Sequence, residues 1–160
     1  MKTKINNKIG IRNKSSSILP KKLIKKLIPK IGININMPTK EFLATFTQAW
    51  NEADVDALMD HFHDKDCSFF TSVGFDVEGT KCVGREEVRK GCESLYVGYP
   101  DAHFEAVGED FFSGDRGCSE WIFTGTRKAD GKKVKVRGCD VYTFKGEKIC
   151  IKNSMRKQEP

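Results

Sequence analysis

No window of the sequence approaches the roughly twenty consecutive apolar residues of a membrane-spanning helix, and none has the apolar core of about 7–15 residues that marks a secretory signal. Paired cysteine ligands at short spacing are missing too. Cys67, Cys82, Cys92, Cys118, Cys139 and Cys150 contain no CxxC pair, and there are only three histidines, His61, His63 and His103. Structural zinc asks for repeated ligand pairs at short spacing, so no metal and no cofactor are expected. Six scattered thiols suit a reducing compartment better than a disulfide framework, which points to the cytoplasm.

Acidic and aromatic side chains are absent from residues 1–36. That absence changes the meaning of the net charge of +6. Residues 1–37 hold ten Lys or Arg, which leaves eighteen basic against twenty-two acidic residues from Pro38 onward. The basic character belongs to an appendage, the remainder is mildly acidic, and nucleic acid is not an expected partner. Within the appendage, KKLIKKLI between Pro20 and Pro29 sets Leu23, Ile24, Leu27 and Ile28 against four lysines. A helix this short does not hold in water alone, although a membrane surface could order residues 18–31. A disordered tail, an organelle-targeting segment and a start at Met37 are the other readings. The expected division is a basic tail over 1–36 and one domain over 37–157.

From Thr39 the apolar residues recur at helical spacing. Phe42, Leu43, Phe46, Ala49 and Trp50 form one stripe and Val55, Leu58, Met59 and Phe62 a second, with Thr39 and Asp54 placed to cap two helices. Strands are expected over Cys67–Val73 and Asp76–Val83, then a third helix carrying Val88, Cys92, Leu95 and Tyr96. Three long alternating segments follow over 102–112, 117–127 and 133–144, and a returning strand carries Ile149 and Ile151. Helices in the N-terminal half and an antiparallel run after them make the fold class α+β. In the third long segment Val134, Val136, Gly138, Asp140, Tyr142 and Phe144 share a face at period two. Asp140 is the one carboxylate on it, and a carboxylate there needs a partner, water or a proton.

AWNEADVDALMDHFHDKD, VEGTKCVGREEVRKG and the run from Ser119 to Lys157 together resemble the nuclear-transport-factor-2-like superfamily, in its SnoaL-like branch, which is similar to ketosteroid isomerase. The resemblance implies a curved, antiparallel or mixed sheet wrapped against three helices into a cone, a ligand pocket at its open end, and a homodimer through the sheet. It places Asp140 where ketosteroid-isomerase-like proteins carry an oxyanion-hole acid. Their tyrosine donor falls at Phe46 and their basic aspartate at Thr71, so steroid isomerisation itself is not expected.

Asp140, with Tyr142 beside it, is therefore the expected acid–base centre for a small apolar carbonyl compound. A non-catalytic binding or dimerisation module is the alternative. Phe46, Trp50, Thr71, Glu120, Trp121 and Val136 are the expected pocket residues, with Glu120 inward or outward and Trp121 in core or ligand wall. Arg137 falls opposite Asp140. His61 and His63 fit capping or solvent roles, and His103 a strand surface. An Asp140 deep in the cone is expected to have a raised pKa unless a cation reaches it.

Overall fold

The computed structural model describes residues 38–158, so the readings made for residues 1–36 lie outside the described residues. Helix α1 (Lys40–Asn51) starts where Thr39 accepts a hydrogen bond from the Phe42 amide, and α2 (Val55–His61) where Asp54 accepts one from Ala57. Strands β1 (Ser68–Phe70) and β2 (Lys81–Val83) precede α3 (Arg85–Gly98). Strands β3 (His103–Ser113), β4 (Arg116–Thr126), β5 (Lys133–Lys145) and β6 (Lys148–Arg156) follow as antiparallel neighbours.

The six strands form one mixed sheet in the order β2-β1-β6-β5-β4-β3, with β1 running parallel to β6. The three helices pack on one face, as the α+β reading requires. Leu43, Phe46, Leu58, Met59 and Phe62 are almost wholly buried against Phe144 and Ile149. Each such side chain contributes about 1.5–3 kcal/mol on removal from water. Asn51 fixes α1 to the sheet by donating to the Phe104 carbonyl at 2.9 Å and accepting from the Phe104 amide at 2.7 Å. Tyr96 of α3 donates to the Trp50 carbonyl at 2.7 Å.

The two early strands are shorter than the sequence suggests. The Thr71 hydroxyl donates to the Val73 carbonyl at 2.5 Å and turns the chain out of β1. Residues 74–80 then form a loop closed by the Thr80 amide on the Val73 carbonyl.

A second departure lies in β6. Thr143 pairs with Ile151 and Phe144 with Ile149, which leaves Cys150 as the extra residue of a β-bulge. Ile149 is therefore buried and Ile151 is 36% exposed, whereas simple alternation puts them on one face. Past the bulge, Lys152 and Ser154 turn inward and are buried.

Candidate active site

Between the helices and the inner face of the sheet lies a cavity of about 450 Å³. Its helical wall comes from Leu43, Phe46 and Trp50 of α1 and Leu95 of α3, and its sheet wall from Phe69, Phe104, Trp121, Phe123 and Val136. All eight sequence-selected residues (Asp140, Tyr142, Phe46, Trp50, Thr71, Glu120, Trp121 and Val136) border it.

Their side chains do different things. Phe46 meets Tyr142 edge to face at a centroid distance of 6.3 Å, so the ring at the position of the missing tyrosine packs and donates nothing. Thr71 is committed to its loop, because its hydroxyl donates to Val73 and also accepts from the Thr80 amide at 3.2 Å. The Glu120 carboxylate is on the outer face of β4, where Arg137 donates to it at 2.8 Å. Arg137 is thus on the face opposite Asp140, as its parity requires.

Tight packing at Gly138 seats Trp121. A Cβ at that position would run into the six-membered ring of Trp121 and come within 2.5 Å of the Met155 carbonyl oxygen. Only a residue without a side chain lets the indole come this close to β5. The Nε1 groups of Trp50 and Trp121 are buried without a hydrogen-bond partner among the described residues. Buried donors of this kind are normally satisfied, and both belong to residues that line the cavity.

The polar floor gathers on three adjacent strands. Asp140 Oδ1 accepts from Lys152 Nζ at 2.9 Å and from Ser154 Oγ at 2.6 Å, while Oδ2 accepts from the Tyr142 hydroxyl at 3.2 Å. Lys152 also donates to Ser154 Oγ at 2.6 Å. With its own hydrogen on Asp140, Tyr142 accepts from Ser119 Oγ at 2.9 Å. Burial, then the neighbouring Asp140 charge, holds the Tyr142 phenol well above its ordinary pKa. The Lys152 ammonium lies 4.5 Å from the centre of the Phe69 ring and 5.4 Å from that of Trp50, within cation–π range of both.

Asp140 is therefore not a lone carboxyl on an apolar face. The exception allowed in the sequence reading, a cation at the carboxylate, is the observed case. Sequence reasoning missed Lys152 and Ser154 because the bulge at Cys150 reverses the parity of β6. It also missed Asp110, a second carboxylate at the cavity, placed within the register shift of β3 between Val107 and Phe111. Burial raises the Asp110 pKa above the usual carboxylate value, with Lys40 opposing.

The histidines stand apart from this floor. His61 is half buried against Phe42 and Phe46, donates through Nδ1 to the Ala57 carbonyl at 2.8 Å, and faces Thr45 Oγ1 through Nε2 at 3.0 Å. His63 accepts from the Asp66 amide at 3.1 Å and caps the turn after α2. His103 is exposed at the start of β3. Among the described residues no cluster of His, Cys, Asp and Glu has the shape of a metal site, and no helix is long and apolar enough to cross a membrane.

Residues 43–151 match the SnoaL-like domain family. No protein of curated function matches the sequence. Among solved structures, a candidate polyketide cyclase from Acidithiobacillus ferrooxidans is 26% identical, with a TM-score of 0.58 over 74% of this chain and 87% of that one. A candidate SnoaL-like polyketide cyclase from Jannaschia sp. CCS1 is 12% identical, with a TM-score of 0.63 over 73% and 83%. A protein of ketosteroid-isomerase-like fold from Catenulispora acidiphila, solved with trimethylamine, is 19% identical, with a TM-score of 0.62 over 75% and 86%.

Proposed function

The chain belongs to the SnoaL-like domain family, and on that premise we propose that it is an acid–base enzyme of isomerase, cyclase or lyase type acting on a small apolar carbonyl compound. The observation that carries this reading is one buried polar cluster, Asp140, Lys152, Ser154 and Tyr142, at the floor of an otherwise largely apolar cavity. A ligand pocket of this kind combines apolar walls with a few convergent polar groups. Asp140 and its donors handle the oxygen end of the substrate. Asp110, a carboxylate at the cavity with its pKa raised by burial, is the group suited to accept a proton from carbon.

The second reading is a binding module without turnover. It is favoured by the engagement of both Asp140 oxygens by protein donors, and by the commitment of Thr71 to its loop. Screening apolar ketones for exchange of their α-hydrogens separates the two. The enzyme reading predicts exchange that Asp110→Asn and Tyr142→Phe each slow by about 10²-fold or more, the scale of general acid–base catalysis. Ligand binding without exchange would favour the binding module.

We also propose a homodimer through the outer face of the sheet, where Ile122, Cys139 and Val141 adjoin the exposed Ile151 and Met155. The folded domain is taken as residues 37–157. All six cysteines are free, three of them buried, which supports a reducing compartment such as the cytoplasm.

A further inference from the structure

We propose that Lys152 captures the carbonyl carbon of its ligand as a covalent iminium, so that this protein works on ketones or aldehydes through an amine nucleophile. The proposal rests on the reading of the cavity as a carbonyl-compound site and specifies what happens to the carbonyl there.

Three observations bear on it. The Lys152 side chain is among those bordering the cavity and is only 5% exposed, so it meets a ligand before it meets bulk water. Its ammonium sits between a carboxylate and two aromatic faces, Phe69 and Trp50. Those faces offer an apolar seat for the rest of a carbonyl compound. Finally, Asp140 at 2.9 Å can take a proton from the amine and return it, and the hydroxyls of Ser154, Tyr142 and Ser119 continue from it as one hydrogen-bonded chain. A lysine desolvated in an apolar pocket with a base at hand is the arrangement in which amine nucleophiles act.

The step balances without any other reagent. The ammonium passes one proton to the Asp140 carboxylate, which neutralises both partners, a change that a ligand-dried cavity favours. The freed lone pair forms the C–N bond as the C=O π pair moves to oxygen, which is protonated. Nitrogen loses a second hydrogen as a proton within the same chain, and the carbinolamine oxygen leaves as water. The net change is a carbonyl plus an ammonium giving an iminium plus water, with one positive charge on each side and Asp140 again ionised. The iminium then stands beside the Asp140 carboxylate in place of the ammonium.

Such an arrangement explains why an ion pair is kept in this core. An apolar pair of similar volume is often as stable or more so, but it has no nucleophile.

The test treats the full chain with benzaldehyde and sodium cyanoborohydride, then maps labelled lysines by mass spectrometry of tryptic peptides. The expected result is a benzyl group on Lys152 appearing about tenfold or more faster than on exposed Lys133 and Lys135, as preorganisation beside a bound carbonyl requires. Lys152→Arg, which keeps a cation for Asp140, is expected to lose that label and keep the slow surface labelling. Peptide mapping of the unmutated protein decides the matter even if that variant does not fold. Saturable quenching of tryptophan fluorescence by benzaldehyde with no preference for Lys152 would overturn the iminium and leave the pocket reading standing. Failure of benzaldehyde to enter the cavity at all, with Lys152 unlabelled, would overturn both.

Discussion

Lys152 Nζ lies 2.9 Å from Asp140 Oδ1, and the two side chains are 5% and 8% exposed. This pair links β5 to β6 under the cavity, and each partner is the other's compensation for leaving water. Removing one leaves the other buried and unpaired, at a cost of about 3–5 kcal/mol. Lys152→Met and Asp140→Asn are each expected to lose stability on that scale. The double variant should recover most of it, as a urea-denaturation double-mutant cycle would show. For a binding module whose Asp140 has no cation beside it, asparagine there would hold or improve stability at neutral pH; Lys152 reverses that expectation.

The face of β5 that carries Asp140 was legible because period-two alternation runs unbroken from Val134 to Phe144. The helical stripe ending at Trp50 was legible for the corresponding reason, since Leu43, Phe46, Ala49 and Trp50 recur at helical spacing and all four are buried. Lys152 was not legible. Its inward position depends on one extra residue, Cys150, whose placement is set by the pairing of β6 with β5 and not by any local pattern. Glu120 was ambiguous for a related reason, because its strand carries Trp121 and Ile122 on opposite faces and both are apolar. The short β1 reflects a side-chain hydrogen bond from Thr71 that composition does not announce.

Gly138→Ala places a methyl group against Trp121 and the Met155 carbonyl oxygen. Overpacking of this kind costs about 1–3 kcal/mol. The indole must shift, so a changed tryptophan emission spectrum should accompany the lowered melting temperature.

His61 sets a pH dependence. Burial lowers its pKa below the ordinary 6.5, with Lys148 adding to the lowering and the Ala57 carbonyl opposing it. The unfolded chain therefore takes up a proton near pH 6.5 that the folded chain refuses until lower pH. This contribution to stability is complete above that pH and is lost as pH falls through the folded value. His61→Phe keeps a ring against Phe42 and Phe46 and removes the titration. Denaturation midpoints measured across this window should fall less steeply with acid in the variant.

Val141 lies on the sheet face away from the helices, and Met155 on the same face is 48% exposed. Sedimentation of the protein at micromolar concentration should report a dimer, and Val141→Glu should shift it to monomer through repulsion of two buried charges. A monomeric parent would contradict the proposed assembly.

The sequence has only two tryptophans, and both residues line the cavity. A ¹⁵N-correlated proton spectrum therefore holds two indole signals that report on the site. Titration with a series of apolar ketones and their matched hydrocarbons tests the central claim most directly. The account predicts saturable shifts of both indole signals with the ketones, and smaller shifts with hydrocarbons, which offer the polar floor no acceptor. Indole signals that stay in place across the ketone series would contradict it.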